Sequence, residues 1–340
     1  MTERLHDHLA QLCQHGSPEQ AMAAETIARL CETARVLHET IACGTLPEGP
    51  RAAGSINSHG EEQKPLDLYA DDLFHTAAAR APVALIASEE RDAPSATGRA
   101  GIALAFDPLD GSSNIETNIA VGTIFSILPA LPGDTDGARS FAQPGTAQIA
   151  AGFFVYGAQL LLILTFGQGT QCFTWDPRLG EFHLGRDCRI PPQAREYSLN
   201  AANRDHWSGT MRHYIHGLET GGRGPRGRDF GMRYTGSLVA DGYRILQRGG
   251  IFLYPADLRP GYGGGRLRQL YEANPIAFCI EQAGGAAIDG SQRLMERQSR
   301  DIHARVPLIF GSRDEVDECL RALTLGDTPQ TTKGETANAG

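Results

Sequence analysis

The residues most able to do chemistry are acids. In Asp107-Pro108-Leu109-Asp110-Gly111-Ser112-Ser113-Asn114, two carboxylates flank a rigid Pro-Leu step. Proline fixes one backbone angle and Gly111 permits a tight turn. On such a turn Asp107 and Asp110 can converge on a hard cation, which prefers oxygen ligands and tolerates waters and phosphates. Gly111 to Asn114 then offer backbone N–H groups and the hydroxyls of Ser112 and Ser113. Those suit an anion held beside the metal. An isolated Asp-Gly at a strand end reads as a solvated turn. The full eight-residue string reads as a site for metal and phosphate.

Positioning these acids needs strands. Val83 to Ala87 and Ile102 to Phe106 are short apolar runs that end abruptly in Ser88-Glu89-Glu90 and Asp107-Pro108. Two buried strands would thus deliver carboxylates to one edge of a sheet. Ile119 to Leu128 is a further strand candidate, and residues 158–184 read as strands with glycine-bearing turns. Before them, apolar side chains at Ile27, Leu30, Ala34, Leu37 and Ile41 recur at helical spacing, so 21–43 is expected to be a helix ended by Gly44 and Pro47. Residues 48–65 are rich in Gly, Pro, Ser and charge and are expected to form a mobile loop, with a helix from Leu66 towards Arg80. After a composition break at 186–196, helix and strand alternate: Gly236 to Arg248 helical, Gly250 to Tyr254 extended, Gln269 to Gln282 helical, Val306 to Phe310 extended, Asp314 to Leu323 helical. The expected organisation is an N-terminal domain over 1–194 carrying most of the acids, a C-terminal α/β domain over 195–325, and a disordered polar tail over 326–340.

Composition narrows the partners. The chain has 340 residues, 31 basic and 40 acidic, for a net charge of −9. A basic nucleic-acid footprint is not expected. An acidic protein that holds an anionic substrate needs local cations or metal ions. The most apolar stretch, Ile149 to Phe166, contains two glycines and Gln159 and reads as buried core, so no membrane partner is expected. The seven cysteines are odd in number and none sit at CxxC spacing, which points to reduced thiols in the cytoplasm. Met1 to His8 has no apolar stretch, so no secretory leader is expected.

The eight-residue string resembles the metal-binding signature of the lithium-sensitive sugar and inositol phosphatases. Within that superfamily the chain is similar to class I fructose-1,6-bisphosphatase from about residue 20 to 323. Gly60-Glu61 leading to Lys64-Pro65-Leu66-Asp67, then Ser88-Glu89-Glu90, Tyr234-Thr235-Gly236-Ser237-Leu238-Val239-Ala240-Asp241 and Leu270-Tyr271-Glu272-Ala273-Asn274-Pro275 carry the likeness. Inositol monophosphatase relatives have a Trp-Asp pair where this chain has Tyr271-Glu272. The resemblance implies a mixed α+β (α/β) fold, layered αβαβα, with two sheets and flanking helices.

It also implies roles. Glu89, Asp107, Asp110, Glu272 and the Leu109 carbonyl would ligate two or more Mg2+ ions per subunit, with Glu61 joining from the loop. Asp67 and Glu90 would help activate the attacking water. Asp110, Gly111, Ser112 and Ser113 would face the reacting phosphate. Asn200, Arg233, Tyr234, Tyr254 and Arg266 would hold the second phosphate, Arg233 reaching in from a neighbouring subunit of a homo-oligomer, a tetramer by the likeness. Arginine suits phosphate because its planar fork donates two parallel hydrogen bonds. Animal-type members have lysine at Arg266 and tyrosine at Asn203, and the loop 260–265 is longer here.

The implied reaction is hydrolysis of the 1-phosphate of D-fructose 1,6-bisphosphate. Action on sedoheptulose 1,7-bisphosphate as well is the alternative that Arg266 and Asn203 leave open. An inositol phosphatase is disfavoured by Tyr271-Glu272, and an inactive sugar-phosphate sensor by the presence of Asp67 and Glu90. AMP-inhibited relatives carry Gly-Thr-Gly where this chain has Gly16-Ser17-Pro18-Glu19-Gln20, and basic residues where it has Gly101-Ile102 and Pro129, so weak or absent AMP inhibition is expected. Redox control through Cys172 and Cys188, in or beside strands, is not expected.

Overall fold

Five layers stack in this computed structural model, which describes residues 3–44, 46, 55, 56, 62–299 and 301–326. The outermost layer is helical: α1 (Leu5–His15), α2 (Pro18–Cys43) and α3 (Pro65–Ala79). Serine 17 begins α2 with a reciprocal cap, its hydroxyl accepting from Gln20 N–H and its own N–H donating to the Gln20 side chain. Gly44, left-handed at φ 66°, ends it.

Next comes an eight-stranded sheet: β1 (Val83–Ser88), β2 (Ser95–Ala96), β3 (Ile102–Asp110), β4 (Val121–Leu128), β5 (Ala150–Tyr156), β6 (Leu160–Thr165), β7 (Thr170–Asp176) and β8 (Glu181–Cys188). Its order is β8-β7-β6-β5-β4-β3-β1-β2. Only β1 and β3 pair in parallel; every other pair is antiparallel. The second sheet holds β9 (Glu196–Ser198), β10 (Gly231–Met232), β11 (Ile251–Tyr254), β12 (Ala286–Ile288) and β13 (Leu308–Gly311), in the order β10-β9-β11-β13-β12. Between the sheets lie α5 (Leu238–Arg248) and α6 (Asn274–Gln282), and outside the second sheet lie α4 (Gly209–Glu219) and α7 (Arg313–Gly326).

The alternation of side chains explains the apolar run at 149–166. Leu160, Leu162 and Leu164 join the core under α1–α3, while Leu161 and Ile163 join the core around α5 and α6. Phe154 and Phe153 divide in the same way. A strand covered on both faces has no polar side, so its sequence reads as continuously apolar. No helix among the described residues is long and apolar enough to cross a membrane. The second sheet repeats the pattern, with Phe252 and Phe310 on its inner face and Ile251, Leu253 and Ile309 under α4 and α7.

Several expectations need correction. Helices α1 and α4 were not foreseen; α1 buries little more than Leu5 and Leu9, too few apolar positions for a clear period. The expected helix 269–282 divides into a π-helical turn over Gln269–Ala273 and α6. Pro275 has no N–H to continue an α ladder there. The expected strand 306–310 also divides: Arg305–Val306 pairs with Leu267–Arg268, and β13 resumes after Pro307, which cannot donate to either ladder. The strand expected from Ile119 starts at Val121 because Ser112–Thr117 coils into a 3-10 turn. Of the 48–65 loop, Ser55–Ile56 and Glu62–Gln63 pair antiparallel, and most of the rest lies outside the described residues, as does the expected tail beyond Gly326.

Leu162 is fully buried in the first core. Leu162→Ala should therefore cost about 2–5 kcal/mol in chemical unfolding, while the KM of the folded enzyme stays within error. A loss under about 1 kcal/mol would mean that the β6 face is not packed as described.

Candidate active site

The parallel pairing of β1 with β3 puts both strand ends, and both sets of acids, at one edge. Glu89 N–H donates to the Phe106 carbonyl (3.1 Å), which fixes Glu89 beside Asp107. The two aspartates lie on the end of β3 itself and not on a free turn. The register with β4 breaks between Asp107 and Asp110, where the strand bulges. Leu109 N–H folds back onto Asp107 Oδ1 at 2.9 Å within that bulge. Asp110 Oδ2 accepts from Val239 N–H (3.0 Å) at the first turn of α5, where the helix dipole favours an anion. Glu272 comes from the π-helical turn, its Oε2 accepting from Arg268 N–H at 2.5 Å. Such single π turns recur at functional sites.

The result is a knot of three buried carboxylates. One oxygen each from Asp107, Asp110 and Glu272 lies within 4.8 Å of the others. Burial raises all three pKa values, and neighbouring acids raise them further: Glu89, Asp110 and Glu272 act on Asp107, and Glu89 and Asp110 on Glu272. Asp110 is pushed up to about 7, chiefly by burial, although the Val239 N–H opposes the shift. Such a cluster is expensive unless cations neutralise it. An all-oxygen set of this kind fits a hard divalent ion. Glu89 stands at the rim, with Oε1 3.3 Å from Nε of the buried Arg268.

The flanking groups fall into place around this knot. Asp67, in the first turn of α3, is buried; Lys64 N–H donates to its Oδ2 (3.0 Å), and its Oδ1 makes no well-formed hydrogen bond. Burial raises its pKa and the Lys64 N–H only partly offsets this. Lys64 Nζ in turn reaches the Ser112 carbonyl at 3.4 Å, tying α3 to the phosphate loop. Gly111 is left-handed at φ 76°, a conformation that favours glycine. Ser112 and Ser113 open the 3-10 turn, and Asn114 Nδ2 donates to the Gly236 carbonyl at 2.9 Å. Glu90 N–H donates to Ser88 Oγ at 3.3 Å. Glu61 lies outside the described residues.

The second cluster assembles from the C-terminal half. Asn200, Tyr254 and Arg266 are all electrostatic neighbours of the Tyr234 hydroxyl, whose pKa is raised first by its burial. Arg233 is exposed; its N–H donates to the Tyr197 carbonyl (2.8 Å) and its guanidinium to the adjoining Met232 carbonyl (2.9 Å), with no acidic partner among the described residues. The segment carrying Arg233 and Tyr234 is pinned by the buried Asp241, whose Oδ2 accepts from Thr235 N–H and Oγ (3.1 and 2.8 Å). Ser198 Oγ and Arg244 hold its other oxygen at 2.9 and 3.3 Å.

Sequence reasoning gave no role to Arg268, Asp71 or Asp241. Asp71 of α3 accepts from Ser88 Oγ (2.5 Å) and Arg91 Nε (2.7 Å), bracketing Glu89 and Glu90 from behind. Ser88 and Asp241 lay inside quoted motifs, and only their partners were invisible. The Arg268 side chain had no signal, because its contacts to Glu89 and His303 lie 179 positions back and 35 positions ahead.

Comparisons with known proteins agree on one family. Residues 13–187 match the family model described as fructose-1-6-bisphosphatase, N-terminal domain, and residues 190–324 the one described as its C-terminal domain. The class 1 fructose-1,6-bisphosphatase of Azorhizobium caulinodans is 49% identical over 304 residues, covering 88% of this chain and 93% of that protein. That of Methylorubrum extorquens strain PA1 is 49% identical over 328 residues, covering 96% and 93%. The crystal structure of Leishmania major fructose-1,6-bisphosphatase in holo form superposes with a TM-score of 0.85 at 33% identity, covering 95% of this chain and 99% of that one.

The carboxylate knot has a stability signature. A carboxyl whose pKa is raised on folding binds more protons folded than unfolded, so its contribution is full below the unfolded pKa and is lost as pH rises through the folded one. For Asp110 that window runs from the ordinary 3.8 to about 7. With a chelator present, Tm should fall as pH rises across this window. The Tm increase produced by added Mg2+ should grow over the same range, as calorimetry would record. A metal-induced shift that is constant, or largest in acid, would contradict the cluster.

Proposed function

The chain belongs to the class 1 fructose-1,6-bisphosphatase family and hydrolyses D-fructose 1,6-bisphosphate to fructose 6-phosphate and phosphate; we propose the division of labour among its residues. The observation that carries the reading is the buried cluster of Asp107 and Asp110, on the strand that leads into the Gly111-Ser112-Ser113 turn, with Glu272 from the π-helical turn. Asp107, Asp110 and Glu272, with Glu89, Glu61 and the Leu109 carbonyl, would hold two or more Mg2+ ions per subunit. The bound metal supplies positive charge against the phosphoryl and leaving oxygens and lowers the pKa of the attacking water.

The protein's own residues do the rest. Asp67 Oδ1, buried without a well-formed hydrogen bond, is free to accept a proton from the water. Glu90 assists from the turn after β1, held there through its N–H on Ser88. The backbone N–H groups of Gly111, Ser112 and Ser113 and the two hydroxyls orient the 1-phosphate. Asn200, Tyr234, Tyr254 and Arg266 hold the 6-phosphate. Arg233, exposed and without an acidic partner among the described residues, serves the site of a neighbouring subunit, so the working unit is a homo-oligomer, a tetramer in this reading. The chain divides near residue 194 into a metal-carrying N-terminal domain and a sugar-phosphate-binding C-terminal domain, and it works in the cytoplasm.

Phosphate release from fructose 1,6-bisphosphate should require Mg2+ and vanish with chelator. Asp110→Ala should lower kcat by at least roughly 10²–10³-fold, with the far-UV spectrum unchanged. Near-normal turnover by that variant would remove the cluster from the mechanism. Running sedoheptulose 1,7-bisphosphate alongside gives the ratio that separates single from dual specificity.

Gly101, Ile102 and Pro129 place no cation where AMP-inhibited relatives have one. AMP at micromolar concentration should leave this activity unchanged, and half-inhibition in that range would refute the expectation.

A further inference from the structure

Arg266 makes no ion pair among the described residues, yet it is half-buried. Something other than an acid must hold it in place. Its guanidinium carbon lies 4.3 Å from the centre of the Tyr262 ring, and that of Arg259 lies 4.9 Å from the same centre. Two cations approach one ring, and their mutual repulsion is eased where one of them is neutralised. That one is Arg259. Its Nε sits 3.1 Å from both oxygens of the buried Asp257, and its Nη2 also contacts that carboxylate. The same Nη2 donates to Asn203 Oδ1 at 3.0 Å. Asp257 is further locked by its Oδ1, which accepts Arg259 N–H at 3.0 Å.

The chain of contacts therefore runs from Asp257 and Asn203 through Arg259 to Tyr262, and ends on Arg266. Its two ends differ in kind. At Asp257 the charge is balanced and the groups are tied down. Arg266 has no direct ion pair; its neighbours are Tyr262, Tyr234 and Tyr254, with Asp257 acting on it only at longer range. Backbone bonds join Tyr262 to Arg259 and Gly265, but the loop has few side-chain contacts: Gly261, Gly263 and Gly264 would meet almost nothing if given a Cβ. Tyr262 is the side chain that converts a glycine-rich loop into a fixed support.

We propose that Tyr262, braced by the Asp257-Arg259-Asn203 unit, is a positioning residue that presents Arg266 to the distal phosphate of the substrate. This rests on the family reaction and on Arg266 as the distal-phosphate ligand. Tyr262 does not touch the reacting phosphate. It holds the guanidinium over its ring before substrate arrives, so less freedom is lost on binding. Its removal should therefore weaken ground-state and transition-state binding alike and leave the chemical step intact.

The test is steady-state phosphate release from fructose 1,6-bisphosphate at saturating Mg2+, with fructose 6-phosphate as a competing product. Tyr262→Leu should raise KM and the product's inhibition constant together, each roughly three- to tenfold, with kcat unchanged. Tyr262→Phe, which keeps the ring, should restore both. In Tyr262→Leu/Arg266→Gln the loss should equal that of Arg266→Gln alone, because the tyrosine acts through the arginine. An unchanged KM, additive losses, or a fall in kcat with KM constant would each overturn the proposal. If Tyr262→Leu unfolds, Tyr262→Gln in this solvent-facing loop is read by the same criteria. Wild-type enzyme that turns over no bisphosphate would sink the underlying reading, whereas normal wild-type turnover with an indifferent Tyr262→Leu sinks only this inference.

Discussion

Three buried carboxylates held within 4.8 Å of one another are the constraint around which this molecule is arranged. Like charges in low dielectric repel strongly. The cluster must be imposed by structure that is stable for other reasons, and three separate devices impose it. A bulge at the end of β3 turns Asp107 and Asp110 to the same side. The start of α5 supplies Asp110 with an N–H. A π-helical turn ahead of α6 carries Glu272 inward, its oxygen on the Arg268 N–H. Each device is anchored in a hydrophobic layer, and the repulsion is offset by burial of Phe153, Phe154, Phe252 and their neighbours.

The approach of α5 to the sheet shows how narrow the tolerances are. Gly122 on β4 lies opposite Asp110 in the ladder. A Cβ there would stand 2.1 Å from the Phe154 carbonyl and 2.7 Å from Val239 Cγ2. The glycine lets the helix start settle directly on the strand, and that contact brings Val239 N–H within reach of the Asp110 carboxylate. A packing requirement between α5 and β4 is thus also an electrostatic requirement of the site.

The same economy appears in the supporting shell. Asp71 reaches from α3 behind β1 to hold Ser88 and Arg91, so the turn bearing Glu89 and Glu90 is braced on both sides. Asp241 does for Thr235 and Ser198 what Asp71 does for Ser88 and Arg91. These buried acids are fully hydrogen-bonded, in contrast to the metal-facing ones. The difference separates carboxylates that hold the protein together from those left to meet a cation.

The amino-acid sequence determined the strands, because a both-faces-buried sheet writes long apolar runs, and it marked the acids, because a carboxylate directly after such a run has few structural uses. It also marked the C-terminal end of α2 through Gly44, since caps are local chemistry. Tertiary structure alone decided which acids converge. Asp110 and Val239 are 129 positions apart, and Arg268 and Glu89 are 179. No local pattern encodes such pairs. Tertiary structure also decided that Asp107 and Asp110 stand on a bulged strand and not on a turn, and that the late helix opens as a π turn. Local propensity there is overruled by the need to bring Glu272 into the knot. The likeness marked residues 260–265 only as a longer loop. The folded loop stacks Arg259 and Arg266 on Tyr262 and ties Arg259 to Asn203, 56 positions back, a contact that no local pattern encodes.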